Sequence, residues 1–239
     1  MSRTDVTSNS AMTSPSHPGC RIHSAHSVVS DDALKQAAAL PTPNLSDAMG
    51  KIMPACVALK PMHRVTRPMV GRALTVRVPP GDNLFAYKAI TVARPNDVIV
   101  IDAGGVLEQA IVGEIMTTLA ASRGIAGIVV HGAIRDIDIV STSEFPVFAC
   151  GYTYRGPYRD GPGEFNVPVA LGSMPVAPGD LVVGDANGVV IVPQADVDSM
   201  LSAAQRIKER EMRIVEQIAA HDYDLTWIDQ AMRERGYIG

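Results

Sequence analysis

Residues 97–138 limit the fold of this chain more than any other part of its sequence. They contain two β-branched runs, 98–101 and 125–130, separated by a stretch with helical periodicity. Two apolar runs joined by a helix predict a strand–helix–strand unit, whose strands are parallel and whose crossover is right-handed. The sequence therefore predicts an α/β fold built around a pair of parallel strands.

The helix of this unit is predicted from apolar residues at every fourth position. The repeat consists of Ile111, Ile115 and Leu119, and the residues beside it are Val112, Met116 and Ala120. Such spacing places the apolar side chains on one face of a helix. Gly124 follows the last of them and is the usual left-handed cap. We therefore expect a helix that buries the Ile111 face and ends at Gly124.

Polar residues follow the predicted strands at one edge of the sheet. In open α/β sheets, ligands bind just beyond the carboxyl ends of the strands. Gly113 and Glu114 at the helix start, and the pair Arg135-Asp136 after the second strand, should therefore face one crevice. The first amides of a helix suit an anion, and the guanidinium of Arg135 matches a carboxylate or a phosphate.

Two acids in the same crevice call for a cation. Glu114 and Asp136 would repel each other and an anionic ligand unless a divalent ion lay between them. Magnesium binds one or two carboxylates while keeping several waters. An anion site beside a metal indicates a bidentate ligand such as a 2-oxo acid, which offers a carboxylate and a ketone. A surface ion pair of Arg135 and Asp136 with a capping Glu114 would explain the same residues.

The spacing of these groups resembles a known family. Gly113-Glu114, twenty residues and then Arg135-Asp136 is similar to the acid-x20-Arg-Asp signature of the class II pyruvate aldolases. These are the 4-hydroxy-4-methyl-2-oxoglutarate and 4-carboxy-4-hydroxy-2-oxoadipate aldolases, which share a fold with the RraA regulators of ribonuclease E. The resemblance runs from about residue 46 to the C-terminus. It includes, in order, the motifs at 80–83 (PGDN), 166–169 (NVPV), 178–180 (PGD) and 185–190 (DANGVV).

This resemblance implies an architecture. We expect an RraA-like layered α/β/β fold with a central strand–helix–strand unit and a long C-terminal helix over 195–220. Residues 29–239 would form one domain, assembled as a homotrimer or a hexamer. A short last helix over 227–235 would clasp a neighbouring subunit. Residues 1–28 are rich in Ser, Thr, His and Pro, lack the apolar core of a secretory signal, and are expected to form a flexible extension.

The resemblance also implies a reaction. The protein would be a lyase that cleaves a 4-hydroxy-2-oxo acid to pyruvate and also acts as an oxaloacetate decarboxylase. Asp136 would bind Mg²⁺ or Mn²⁺, and Glu114 would hold waters of that ion. Arg135 and the backbone amides of Ile115 and Met116 would bind the carboxylate and the ketone.

Further site residues are expected around this centre. Gly113 would lie against the substrate, and Asn83 could contact its distal part, although helix capping explains Asn83 equally well. In the resembling aldolases a glutamate from a neighbouring subunit reaches the waters of the metal. Glu211 or Glu209 would hold that position here.

The loop over residues 152–165 bears on the choice of substrate. It is dense in Gly, Tyr and Arg, and Arg155 and Arg159 could meet a second carboxylate or be exposed to solvent. The resembling aldolases often have lysines here. A lyase for a sugar-derived 2-oxo acid is therefore an alternative.

A non-catalytic function is the other alternative. An RraA-type regulator would inhibit ribonuclease E by docking. The aspartate after Arg135 favours the aldolase, because the non-aldolase regulators lack it.

Composition and motifs exclude other classes. The net charge of −4 favours neither nucleic acid nor an acidic membrane, and no apolar run approaches the length of a spanning helix. The chain has no GxGxxG fingerprint and no GxSxG elbow. A Schiff-base mechanism needs a desolvated lysine, and nothing singles out one of Lys51, Lys60 and Lys88.

Cysteine and histidine spacing argues against a zinc site. Cys20, Cys56 and Cys150 form no CxxC pair, which fits a reducing compartment, and we expect a cytoplasmic location. The remaining candidates are His63, His131 and His221, which show no HxH or HExxH spacing. His131 could relay a proton or be a satisfied buried residue.

Overall fold

The computed structural model describes residues 19–24 and 27–238. Its helices are Asp31–Ala37 (α1), Thr42–Ala48 (α2), Leu84–Val92 (α3), Glu114–Ser122 (α4), Ile137–Val140 (α5), Val197–Ala219 (α6) and Thr226–Glu234 (α7). Its strands are Lys60–Pro61 (β1), Met69–Arg77 (β2), Asp97–Asp102 (β3), Ala110–Val112 (β4), Gly127–Ile134 (β5), Val147–Tyr152 (β6), Glu164–Phe165 (β7), Val169–Leu171 (β8), Met174–Val176 (β9), Leu181–Asp185 (β10) and Gly188–Val192 (β11).

Most of these strands form one mixed sheet. The strand order is β1-β6-β5-β3-β2-β10-β11, with β4 paired to β5 and β7 paired to β2. The pairs β2–β3, β3–β5 and β5–β6 are parallel, so the predicted parallel strands and the α/β class are confirmed. Strand β1 at one end contacts β11 at the other, which makes the sheet nearly closed. Strands β8 and β9 form a separate hairpin.

The helix of the central unit begins later than predicted. Ile111 and Val112 belong to the short strand β4, and α4 starts only at Glu114. Gly113 between them is extended (φ −149°, ψ −170°), so the helical repeat cannot continue through it. The expected apolar face is therefore wrong: Ile115 is 65% exposed, whereas Met116 and Ala120 are buried.

Three apolar clusters make up the core. The first lies between the sheet and helices α3 and α4. The second lies on the opposite face of the same strands, where Val100, Val129 and Phe148 pack with β8 and β9. The third joins α1, α2 and α6 to β10 and β11. Because successive side chains of a strand point to opposite faces, β3 and β5 contribute to two clusters at once.

The C-terminal predictions agree with the structure. An Asp185–Gly188 turn joins the hairpin of β10 and β11, and the long helix and the short last helix are both present. Of the predicted extension, residues 1–18 and 25–26 lie outside the described residues. The described part touches β7: the Gly19 N–H donates to Glu164 Oε1 at 3.0 Å, and the His23 N–H donates to Phe165 O at 3.3 Å.

No helix within residues 19–24 and 27–238 has both the length and the apolar character needed to cross a bilayer.

Candidate active site

Arg135 and Asp136 follow directly after β5, at the carboxyl edge of the sheet. The Arg135 N–H donates to Val112 O of β4 at 2.9 Å. Asp136 has a left-handed backbone (φ 57°), which few non-glycine residues adopt. Its Oδ2 accepts the N–H of Glu114 at 3.0 Å and lies 3.5 Å from Arg135 Nε. The turn therefore aims one carboxylate at the start of α4 and sets a guanidinium beside it.

Gly113 permits this close approach. A Cβ at this position would overlap Oδ2 of Asp136 and would lie 2.9 Å from Cγ of Arg135. The backbone of Gly113 is extended, so the reason for glycine is space rather than strain. The structure thus brings Gly113, Glu114, Arg135 and Asp136 together, as their positions in the sequence predict.

The first turn of α4 presents one unpaired amide. The Glu114 amide binds Asp136, and the Met116 amide donates to Gly113 O at 3.1 Å. Within the described part of the chain, the Ile115 N–H makes no hydrogen bond. The Met116 N–H therefore closes the first turn of its own helix, whereas the Ile115 N–H is left for a ligand. Substrate binding by these two amides stays a prediction.

Asn83 lies buried beside this turn. It is 2% exposed, and its Nδ2 donates to Ile111 O at 3.1 Å. Its Oδ1 has no hydrogen-bond partner among the described residues. A small cavity of about 20 Å³ separates Asn83 from Arg135 and Arg159, which is room for about one water. Because an unpaired buried carbonyl is costly, Asn83 is suited to accept from a water or a ligand.

A second cavity opens on the other side of Arg135. It measures about 580 Å³ and is lined by Arg135, Asp136, Ile137, Asp138 and residues 152–154. Asp136 Oδ1 makes no hydrogen bond or ion pair to the residues that the structure describes. The cavity is therefore wide enough for a small acid, and it exposes a free carboxylate oxygen next to a guanidinium.

Asp82 fixes the loop that borders both cavities, a role that the sequence prediction missed. Its carboxylate is buried and accepts the amides of Leu84 at 2.9 Å, Asp160 at 2.7 Å and Gly161 at 2.8 Å. The PGDN motif marks the place but predicts only a helix cap. The Asp82 carboxylate therefore both caps the start of α3 and anchors the loop.

The two arginines of this loop differ. Arg159 lines the smaller cavity and stacks over the Tyr87 ring, with its Cζ 5.4 Å from the ring centroid. Both arginine side chains are exposed, and the Arg155 carbonyl accepts the Ala110 amide at 3.0 Å. Of the two, only Arg159 lines the small cavity beside Arg135.

The glutamates of α6 are not brought to this centre within one chain. Glu211 Oε2 accepts from Asn44 Nδ2 at 2.6 Å, and Glu209 accepts from Gln205 at 2.8 Å. Helix α6 packs on α1 and α2, beside β10 and β11 and away from β5. The side chain of Glu114 is exposed, so the contact that fixes this residue is made by its backbone.

Comparison with known proteins gives the family. Residues 42–191 match the family model described as RraA-like, Aldolase/RraA. The chain is 41% identical over 175 residues to a protein of Halalkalibacterium halodurans that is provisionally named 4-hydroxy-4-methyl-2-oxoglutarate aldolase. That match covers 73% of this chain and 83% of the relative. A relative with the same provisional name from Ectopseudomonas mendocina is 30% identical over 154 residues, which is 64% of this chain and 94% of the relative.

Solved structures of related proteins agree with this family assignment. An uncharacterized protein from Pseudomonas syringae has a TM-score of 0.73 at 28% identity, covering 83% of this chain and 93% of its own. The RNA-processing inhibitor RraA from Thermus thermophilis has a TM-score of 0.59 at 28% identity, covering 64% and 92%. This chain therefore belongs to the RraA-like family.

Proposed function

We propose that this protein is a divalent-metal-dependent aldolase that cleaves a 4-hydroxy-2-oxo acid of the 4-hydroxy-4-methyl-2-oxoglutarate type to pyruvate. The names of its relatives support an aldolase. The observation that carries the proposal is the Asp136 carboxylate, held by the Glu114 amide 3.5 Å from the Arg135 guanidinium, with one oxygen left unpaired by the described residues.

The anion side of the site is built by Arg135 and α4. Apart from its contact with Asp136, the Arg135 guanidinium makes no hydrogen bond to the described residues, so it can pair with the substrate carboxylate. The unpaired Ile115 amide lies at the positive end of the helix dipole, where a carboxylate or a polarised ketone oxygen is stabilised. Asn83 and Arg159 would meet the distal part of the substrate.

The residues present fit a magnesium or manganese ion. Asp136 supplies a hard oxygen donor that faces a cavity open to solvent, and its other oxygen is fixed by a backbone amide. Among the described residues, no group of three acids converges here, which suits an ion that keeps most of its waters. Asp136 would hold the ion, and Glu114 would hold water next to it. When bound, the ion supplies a Lewis acid at the ketone oxygen.

The protein groups then divide the remaining work. Breaking the bond between C3 and C4 leaves its electrons on the pyruvate half as an enolate, while the C4 hydroxyl becomes a carbonyl and loses its proton. Glu114 holds the water that accepts this proton. Arg135 and the Ile115 amide keep the carboxylate and the ketone in one plane. Asn83 and Arg159, at the distal part of the substrate, turn the C3–C4 bond perpendicular to that plane, where it overlaps the carbonyl π-system. Loss of carbon dioxide from oxaloacetate gives the same enolate, which accounts for the expected decarboxylase activity.

A coupled assay for pyruvate tests this function. Oxaloacetate and 4-hydroxy-4-methyl-2-oxoglutarate should both release pyruvate, and EDTA should stop the release until Mg²⁺ or Mn²⁺ is restored. Asp136→Asn should lower turnover of both substrates by at least about 100-fold, since it removes the anionic donor. Asp32→Asn, an exposed carboxylate of α1 paired with Lys35, is the matched control and should keep the activity. Full metal-dependent turnover by Asp136→Asn would refute the proposal.

The similarity to the Thermus thermophilis RNA-processing inhibitor supports a second candidate. In that case the chain would bind ribonuclease E and release no pyruvate from either substrate. A pull-down with ribonuclease E, run beside the assay, separates the two functions. A lyase for a sugar-derived 2-oxo acid is the third hypothesis, because the loop over residues 152–165 borders the site. Adding such acids to the assay tests it.

A further inference from the structure

A cluster of side chains that could bind a metal lies apart from Asp136. Cys56, His131 and Cys150 each direct a donor atom to one place, and these atoms lie within 4.8 Å of one another. Both cysteines pack against the second apolar cluster, on the sheet face opposite α3 and α4. The Asn83 side of the candidate active site packs on the other face, so the two sites are distinct.

The fold assembles this cluster from three distant segments. His131 is on β5 and Cys150 is on the parallel neighbour β6. The register shifts between them: Val130 pairs with Ala149, but Ala133 pairs with Gly151, so two residues of β5 lie opposite Cys150. This bulge re-aims the His131 ring toward the neighbouring strand. Cys56 arrives from the segment that precedes β1.

The Asp102 carboxylate orients the ring of His131. Its Nδ1 lies 3.4 Å from Asp102 Oδ1, so a proton on Nδ1 can be shared with that carboxylate. Its Nε2 and the Cys56 sulfur both border Gly172, where a Cβ would lie 3.9 Å from each of them. A carboxylate behind a histidine fixes the tautomer that leaves Nε2 free to bind a metal, as in carboxylate–histidine–zinc groups.

We propose that Cys56, His131 and Cys150 form a binding site for zinc or another thiophilic divalent cation, with Asp102 supporting the histidine. Two thiolates and an imidazole are donors that select zinc over magnesium. In a tetrahedral zinc site such donors lie about 3.5 to 3.8 Å apart, so the side chains need to contract only slightly. Three protein ligands leave a fourth position for a water or a ligand atom.

The two thiols of the cluster must lose their protons to bind a cation, because the thiolate and not the thiol is the metal ligand. Uptake of the metal should therefore release protons, and the metal affinity should weaken as the pH falls.

Cobalt titration of the reduced full-length protein tests the proposal. Co²⁺ bound by two thiolates and an imidazole should give intense thiolate-to-cobalt absorption and tetrahedral d–d bands, which excess Zn²⁺ removes. Cys56→Ser, Cys150→Ser and His131→Gln should each abolish or strongly weaken these bands. Asp102→Asn should weaken the metal affinity by about 10- to 100-fold. Cys20→Ser is the matched control and should keep the bands, since Cys20 is outside the cluster.

The test also separates this site from the proposed lyase site. Asp136→Asn should retain the thiolate-to-cobalt bands even where pyruvate release is lost. Circular dichroism of each variant, with Cys150→Ala as a second replacement, shows whether a lost signal reflects a lost ligand in a folded chain. Wild-type protein without the bands, bands that persist in folded Cys150→Ser and Cys150→Ala, or a Cys56–Cys150 disulfide in freshly purified protein would each overturn the proposal.

Discussion

Gly113 is the residue on which the geometry of the candidate active site depends most directly. A side chain there would push against both Asp136 and Arg135. We expect Gly113→Ala to fold normally but to lose about 100-fold in kcat/KM for pyruvate release, because displacing catalytic groups by about 1 Å has that order of effect. Steady-state kinetics on oxaloacetate, with circular dichroism as the fold check, measure the change.

Gly151→Ala is the matched control for this substitution. A Cβ at Gly151 would lie 3.4 Å from Leu107, an ordinary contact, so this variant should keep near wild-type kinetics. Equal activity of Gly113→Ala and wild type would mean that Asp136 and Arg135 tolerate movement that the proposed mechanism forbids.

At the scale of single residues, the sequence predicts which residues form the candidate site better than it predicts their local backbone geometry. Gly113, Glu114, Arg135 and Asp136 could be placed together because parallel strands end at one edge of a sheet. Which amide stays unpaired could not be predicted, since it depends on how Met116 closes the first turn of α4. The left-handed backbone of Asp136 left no sequence signal either.

Among the elements, a buried histidine helps to fix the chain after β1 to β6, beside the backbone hydrogen bond from Met62 N–H to Val147 O. His63 is buried, its ring lies edge-on to Phe148 with centroids 5.3 Å apart, and its Nδ1 is 3.0 Å from Val147 O. Burial lowers the pKa of His63 below its usual value, against a smaller opposing effect of the Val147 backbone. The folded chain therefore resists protonation at this position.

This burial predicts how stability depends on pH. Below about pH 6.5 the unfolded chain binds a proton at His63 more readily than the folded chain does, so stability falls as the pH drops. The melting temperature should decrease between pH 7 and pH 5, and His63→Asn should show a shallower decrease. An identical slope in the two proteins would place the acid sensitivity elsewhere.

Element predictions were right where one pattern covered one element. The hairpin of β10 and β11 and the helix α6 came from a turn signal and a single amphipathic repeat. The start of α4 was wrong because an apolar four-residue repeat ran through β4 and Gly113 into the helix. Periodicity alone cannot separate these cases, since apolar side chains in a short buried strand fit the same spacing.

On the scale of the whole molecule, the C-terminal helices leave apolar surface uncovered. Helix α7 buries none of its described residues, and Trp227 is 55% exposed. Further exposed apolar residues of α6 and α7 are Met212, Val215, Ile218 and Ile228. Apolar patches of this kind usually mark interfaces between proteins. We therefore expect α6 and α7 to bury this surface against other copies of the chain.

Charge on this surface should disrupt assembly. If the chain assembles as the expected trimer or hexamer, the double variant Trp227→Asp, Ile228→Asp should shift it toward smaller species in size-exclusion chromatography with light scattering, because a charge is costly to bury unpaired. Gln230→Ala on the same helix is the polar control and should leave the mass unchanged. A monomeric wild-type chain, or a double variant with unchanged mass, would exclude this interface.

The cluster of Cys56, His131 and Cys150 could not be predicted from the spacing of residues in the sequence. His131 and Cys150 are neighbours only because β5 and β6 pair with a register shift, and Cys56 joins them from a separate segment. Its three members lie far apart in sequence, so local motifs argued against any such site. Only the topology of the nearly closed sheet brings them together.

The anchoring of the loop over residues 152–165 by Asp82 has an evolutionary consequence. One buried carboxylate grips both Asp160 and Gly161, while the Asn83 amide donates to Tyr158 O at 3.1 Å. The exposed side chains of Tyr154 and Arg155 can thus be exchanged while the Arg155 carbonyl keeps its bond to the Ala110 amide of β4, but Gly156 must stay small because a Cβ there would lie 3.0 Å from Arg135 Nη1. New substrate preferences could arise through those two side chains alone, with the candidate active site inherited intact.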